Sequence, residues 1–289
     1  MEQIRFLTSQ DKDEVEQMKQ IWRECFEAED AYLNLYFSLL YCPEQTLVYQ
    51  QDGKVLGMLT LLPCRYRVGE READARYLFA VATLPGAQGR QISTKLLAHA
   101  DREMQRQGVE AALLAPATAQ LYDFYGKRGY TPWFAGRKQS FAPLGNPAES
   151  GEIFLKPLSE TEYLSERKKI APKNAVVWGE RHLRFARRES ELYHGGFYRL
   201  MQGKTNLGIC NLYRYSDNEV IVKELLTEPG RKEEDSVQLL RAYFYDCSTV
   251  FRLPAEGEGE LSPVGMVRFY REEEFLQDTE QEYLSFLLD

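Results

Sequence analysis

Apolar residues return every three or four positions from Asp11 to Tyr41: Val15, Met18, Ile21, Trp22, Cys25 and Phe26, then Leu33, Tyr36, Phe37 and Leu40. That period predicts two helices with a break near Glu29-Asp30. From Thr46 to Leu62 the pattern becomes extended and reads as two strands joined at Asp52-Gly53, two residues that tolerate the positive φ of a tight hairpin. Strand character continues to Val68 and returns from Arg76 to Thr83, after which Leu84-Pro85-Gly86 turns the chain. Ile92 to Gln107 is helical again, with Ile92, Leu96, Leu97 and Ala100 on one face and Gly108 as its stop. Ala111 to Ala115 predicts a short strand, Leu121 to Lys127 a brief helix, and Gly129-Tyr130-Thr131 the opening of another strand.

Turn formers then crowd the stretch between Phe141 and Pro157, which sets a linker at Gly145 to Glu152 and two domains, 1–145 and 152–289. In the second half Tyr163 to Lys169 reads as helix. Val176 to Trp178, Leu183 to Arg187, Gly196 to Met201, Asn206 to Tyr213 and Glu219 to Leu226 read as successive strands. A helix from Asp235 to Tyr245 and strands at Val250 to Leu253 and Met266 to Tyr270 follow. The order helix, meander, helix, strand thus occurs twice, as a repeat of pattern without repeat of residues.

A chain of 289 residues suits two cores of ordinary size, and 44% hydrophobic with 28% charged residues is the balance of a globular protein. The formal charge of -8 gives no general attraction to polyanions. The arginines of Arg65 to Arg76 and of Arg181 to Arg188 are interrupted by acids or by alternation, so they read as solvated strand faces and nucleic acid is not expected as a partner. No apolar run approaches a membrane span and the first residues lack a secretion signal, so the expected location is the cytoplasm, without membrane association. Five scattered cysteines and three isolated histidines, His99, His182 and His194, point to neither disulfides nor a metal site.

The chemistry concentrates where Tyr77-Leu-Phe-Ala-Val-Ala-Thr ends in a tight loop, Leu84 to Gln91, that enters the helix beginning Ile-Ser-Thr. Unpaired N–H groups and a partial positive charge at a helix start can hold a pyrophosphate. This loop resembles the acetyl-CoA-binding segment of GCN5-related N-acetyltransferases (GNAT), with Gln88 in the Arg/Gln slot, but Gln91 where that family has Gly and Ser93 where it has Gly or Ala. A side chain at Gln91 either crowds the pyrophosphate or holds a backbone conformation that glycine reaches more cheaply. Downstream, Leu121-Tyr-Asp-Phe-Tyr-Gly-Lys-Arg-Gly-Tyr resembles the family's closing signature through Tyr125, Gly129 and Tyr130, with Thr118 in place of its usual Asn. Trp22-Arg-Glu-Cys-Phe, Pro43-Glu-Gln-Thr-Leu-Val and Asp52-Gly-Lys-Val-Leu-Gly-Met-Leu are similar to the branch with a divergent second domain, which includes the enhanced-intracellular-survival acetyltransferases.

The resemblance implies an α/β (α+β) architecture, a GNAT fold with a central mixed, mostly antiparallel sheet flanked by helices, followed by a degenerate GNAT-like domain. It implies transfer of an acetyl group from acetyl-CoA to a primary amine, small or on a peptide, by direct attack on the thioester. Val81, Ala82 and Thr83 would pair with the pantetheine arm; Gln88, Gly89, Arg90, Gln91, Ile92 and Ser93 would face the pyrophosphate; Thr118 would stand on the cofactor side. Tyr125 is the candidate general acid for the leaving thiolate, with Tyr122 as its reserve, and its bland reading is a packing tyrosine. For the base, Glu24, Glu27, Glu29 and Asp30 border the acceptor side, and the terminal carboxylate of Asp289 is a further candidate. Glu228-Pro-Gly-Arg-Lys-Glu-Glu-Asp at the corresponding helix of the second half would repel a pyrophosphate, which leaves that domain to cover, shape or dimerise. The alternative function is a GNAT-fold module without catalysis, serving as a CoA-binding, regulatory or interaction element.

Overall fold

The structure, a computed structural model, describes residues 1–146, 152–270 and 282–284. In chain order the elements are β1 (Glu2–Phe6), α1 (Lys12–Phe26), α2 (Asp30–Leu39), β2 (Thr46–Gln51), β3 (Lys54–Val68), β4 (Arg71–Thr83), α3 (Ile92–Arg106), β5 (Ala111–Leu114), α4 (Ala119–Gly126) and β6 (Thr131–Phe141). Then come β7 (Ile153–Pro157), α5 (Glu160–Ile170), β8 (Ala175–Val177), α6 (Glu180–Leu192), β9 (Gly196–Gln202), β10 (Thr205–Ser216), β11 (Glu219–Thr227), α7 (Glu233–Tyr243), β12 (Ser248–Leu253) and β13 (Leu261–Phe269).

The chain divides into two compact units, Met1–Thr131 with 266–270, and Pro132–Gly265 with 282–284. The linker expected at 145–152 therefore falls inside the second unit, because β6 pairs antiparallel with β12 before that stretch is reached. In return the last residues of β13 pair antiparallel with β5 in the first unit, Met266 with Leu114 and Phe269 with Ala111.

In the first unit the strand order is β1-β2-β3-β4-β5-β13. The hairpin at Asp52-Gly53 forms as its residue types require, at φ 50° and 79°. The apolar face of α3 closes the core through Ile92, Leu96, Leu97, Ala100 and Met104 against Leu47, Leu59, Leu78 and Tyr125. Gly57 permits this closeness, since a Cβ there would stand 2.6 Å from Ile92 Cγ2 and 3.0 Å from Ala82 O.

The second unit orders its strands β6-β12-β11-β10-β9-β7. Its order α5, α6, β9, β10, β11, α7, β12 matches α1, α2, β2, β3, β4, α3, β5, and in each case the strand before the late helix runs parallel to the strand after it. Two of its elements differ from the sequence pattern: β7 has no counterpart there, and Leu183 to Arg187, expected as a strand, lies within α6. Leu183 and Phe185 imitate alternation, but His182, Leu183, Ala186, Glu189 and Ser190 are the buried set, at helical spacing, and the intervening Arg and Glu are good helix formers. The arginines there lie on that helix rather than on a strand face, with Arg187 bridging Glu160 and Glu191 and Arg188 bridging Glu191. No helix among the described residues is long and apolar enough to cross a membrane.

Candidate functional site

The first unit's sheet opens beside β4. Parallel pairing with β5 covers only Ala75 to Tyr77, matched to Ala111 to Leu113, whereas β4 runs on to Thr83. Past Tyr77 the edge of β4 that faced β5 has no partner strand among the described residues, while its other edge stays paired with β3 as far as Gly57–Thr83. Backbone N–H and C=O groups must be satisfied, so such an edge accepts an extended, amide-bearing ligand as it would another strand.

A bulge aims this edge. Met58 faces Ala82 and Thr60 faces Phe79, so Leu59 alone opposes Ala80 and Val81. Ala80 takes φ 53°, a left-handed conformation that costs an L-residue about 1 kcal/mol. Thr83 then closes the strand with two side-chain ties: its Oγ1 lies 2.8 Å from Ser93 Oγ, and its carbonyl accepts from Cys25 Sγ at 3.4 Å.

The loop after β4 leads into α3 with Gln88, Gly89, Arg90 and Gln91 exposed. Gln91 is the residue preceding the first helical turn and adopts φ 59°, ψ 23°, the region where glycine is at ease. The first backbone acceptor used inside the helix is Gln91 O, reached by Lys95 N, so the N–H groups of Ile92, Ser93 and Thr94 precede the helical ladder. The sequence foresaw the Gln91 departure as crowding or conformation; it is the conformation that the structure displays. Ser93, the other departure, links the helix start to the strand end instead of standing in the loop.

Tyr125, on α4, is only 6% exposed and packs edge-on to Phe124 and Tyr130, at 5.1 and 5.9 Å between centroids. Burial pushes its phenol up to about 12. The Tyr77 phenol, also raised by burial, interacts electrostatically with Tyr125 and Tyr122, and its ring lies 6.5 Å from that of Phe79. Tyr77, which the sequence reading did not single out, thus brings β4 near Tyr125 at the last residue that pairs with β5. α4 is also tied to α3 through Arg128, which donates to Thr94 Oγ1 and to Phe124 O and covers the Phe124 ring at 3.5 Å. Thr118 is the exposed residue before α4 and makes no side-chain cap.

Glu24, Glu27, Glu29 and Asp30 are all exposed, Asp30 paired with Arg23 at 2.9 Å and Glu24 accepting from Gln20 at 2.7 Å. Asp289 lies outside the described residues. All five cysteines are free, and no cluster able to hold a metal occurs among the described residues.

At the corresponding place in the second unit the strand carries buried charged side chains. Parallel pairing of β11 with β12 ends at Val222–Phe251, and Lys223 is the extra residue of a bulge between Leu212–Val222 and Asn211–Glu224. There Lys223 is bonded to Glu189 at 3.0 Å, and Glu224 accepts from Tyr163, Tyr283 and Arg167 at 2.8, 2.7 and 3.2 Å. The late helix α7 begins with Glu233, Glu234 and Asp235 in its first turn.

Residues 4–133 match the family model described as "Acetyltransferase (GNAT) domain". No curated protein matches the sequence. Among solved structures, a probable N-acyltransferase from Enterococcus faecalis V583 superposes with a TM-score of 0.74 at 12% identity, over 96% of this chain and 74% of that one. Eis1 from Mycobacterium abscessus gives 0.68 at 16% identity, over 92% and 73%. A tandem GNAT protein from the clavulanic acid biosynthesis pathway gives 0.58 at 12% identity, over 93% of this chain and 98% of its own. At these identities the likeness is one of fold, and it extends through the second unit.

Proposed function

We propose, from the match of residues 4–133 to the GNAT acetyltransferase domain model, that the first unit transfers the acetyl group of acetyl-CoA to the nitrogen of a primary amine. The observation that carries this reading is the unpartnered edge of β4 past Tyr77, followed through the loop 84–91 by the N-terminus of α3. The pantetheine arm carries amides and suits the edge at Val81, Ala82 and Thr83; the pyrophosphate suits the loop from Gln88 to Ser93, where unladdered N–H groups and the helix dipole favour negative charge. The second unit, with ion pairs at its bulge and acids at the start of α7, is read as free of cofactor.

In the reaction the neutral amine nitrogen forms a bond to the acetyl carbonyl carbon, the carbon–sulfur bond breaks, and the thiolate leaves. Tyr125 supplies the proton to that sulfur, a role for which a phenol held protonated by burial is fitted. The nitrogen gives up one proton to solvent as the amide forms, in keeping with the exposed carboxylates of the α1–α2 junction, and solvent returns one to Tyr125. Positioning two reactants accounts for much of the rate in such a direct transfer.

Calorimetry with acetyl-CoA tests the first half of this reading, and amine-dependent release of free CoA thiol tests the second. Micromolar binding, with Tyr125→Phe keeping that affinity but losing about a hundredfold in kcat, is the expected result. Absence of acetyl-CoA binding by the wild-type protein would leave a GNAT-fold module that serves something other than acetyl transfer.

A further inference from the structure

Five aromatic rings gather between the inner face of α1 and the edge of β4. The Trp22 ring centroid lies 4.9 Å from Phe26, 5.8 Å from Tyr32, 4.8 Å from Tyr36 and 5.7 Å from Phe79. Phe79 immediately precedes the bulged residue Ala80, so the cluster sits at the far end of the open edge from the α3 loop. It is not a sealed core: Trp22 is 4% exposed, but Phe26 keeps 43% of its surface and Tyr32 and Phe79 are half-buried. Inside it the Trp22 indole Nε1 is buried with no hydrogen-bond acceptor. One turn along α1, the bond from Cys25 Sγ to Thr83 O fixes that helix face against the strand end.

The direction of the ligand follows from the acetyl-transfer reading, on which this inference rests. With a pyrophosphate at the α3 loop, an arm running back along Thr83, Ala82 and Val81 brings its thioester to Ala80 and Phe79, beside the rings. The incoming amine must then approach past Phe26 and Phe79, the rings of the cluster that keep exposed surface there. The carboxylates that would select a polycation, Glu24, Glu27, Glu29 and Asp30, are exposed, and Arg23 neutralises Asp30. The overall negative charge is therefore a poor guide to the acceptor, and the ring surface a better one. Aromatic side chains reward a flat apolar partner through offset and edge contacts beyond simple burial.

We propose that the acceptor is an arylalkylamine, a primary amine on a short chain ending in an aromatic ring, with that ring held against Phe26 and Phe79, the rings that keep exposed surface beside buried Trp22. Titration calorimetry on the full chain tests it with three probes: phenethylamine, hexylamine of similar reach without a ring, and spermidine as an aliphatic polycation. Phenethylamine is expected to bind about tenfold more tightly than either. Phe26→Ala, at an exposed position, should abolish that preference, and Phe26→Tyr should retain it. Equal or tighter binding of hexylamine or spermidine, or an unchanged preference in Phe26→Ala, overturns the proposal. A parallel acetyl-CoA titration separates it from the reading beneath it: acetyl-CoA bound without preference for the ring sinks this inference alone, and ring preference without acetyl-CoA binding sinks acetyl transfer alone.

Discussion

The Arg268 guanidinium donates to Asp101 Oδ2 at 2.6 Å, joining the end of β13 to the middle of α3 across 167 residues of chain. Arg268 also donates to Arg128 O at 2.8 Å, and Tyr270 Oη donates to Asp101 Oδ1 at 2.6 Å. Burial pushes the Asp101 carboxyl up, while the bonds from Tyr270 and the charge of Arg268 pull it back. The first unit therefore completes its core with residues that arrive only at the far end of the sequence.

Removing the cation leaves the buried Asp101 carboxyl without its charge partner, though it keeps the bond from Tyr270. The pair is only partly buried, so Arg268→Ala should lower stability by about 1–2 kcal/mol, the scale of a lost charge-assisted hydrogen bond, read as a fall in the urea midpoint. A chain ended at residue 145 lacks both Arg268 and Tyr270 and leaves β5 without β13, so it should show no cooperative unfolding transition. A sharp transition at the wild-type midpoint would show that the first unit needs neither.

The left-handed backbone at Gln91 makes a second prediction. Glycine reaches φ 59° without the Cβ penalty, so Gln91→Gly should stabilise the protein by about 1 kcal/mol, less the entropy glycine loses on folding. A rise of a few degrees in Tm is expected, with acetyl-CoA binding equal or tighter. A lower Tm would mean that the Gln91 side chain contributes more than its backbone costs.

These residues also mark how far the sequence could be read. A period of three to four located α1, α2 and α3 because each buries one face, while β2 and β3, buried on both faces over most of their length, read as extended runs whose hairpin Asp52-Gly53 declared by residue type alone. β1 and β7 escaped because they are short strands with few buried residues, with burial patterns from exposed to half-buried. Leu183 to Arg187 misled because two apolar residues spaced by one occur in helices as well. Tyr125, Gln91 and Ser93 were legible as positions in a resemblance, but the bond from Ser93 to Thr83 and the conformation of Gln91 were not. The open edge of β4 and the meeting of Trp22 with Phe79 are tertiary facts: the first depends on where two parallel strands part, the second on a helix crossing a strand more than fifty residues away in sequence.

Gly57 supplies a test of how tightly the helix must seat on the sheet. An added Cβ would meet Ile92 Cγ2 at 2.6 Å and Ala82 O at 3.0 Å, and the second of these is backbone that cannot step aside. Gly57→Ala should cost about 1–3 kcal/mol through overpacking and, by lifting Ile92, weaken acetyl-CoA binding as well. Gly86→Ala, where nothing lies within 4 Å of the new Cβ, is the control expected to leave stability within about 0.5 kcal/mol of wild type. Equal effects at the two glycines would show that α3 has room to move.

In the second unit His182 sets a pH dependence. Burial, with Arg181 adding to it, holds its imidazole down to about 4, against about 6.5 in an unfolded chain. Between those values the unfolded chain binds a proton that the folded chain refuses, so stability falls as pH drops from about 6.5 to about 4. The loss from this one group amounts to about 3 kcal/mol and levels off below pH 4, where both states carry the proton. Above about pH 7 the group makes no difference. Urea midpoints of the wild type and of His182→Gln across pH 4 to 8 measure this: the two curves should run parallel above pH 7 and converge or cross on the acid side. Parallel curves over the whole range would mean that His182 takes up its proton in the folded state as readily as in the unfolded one.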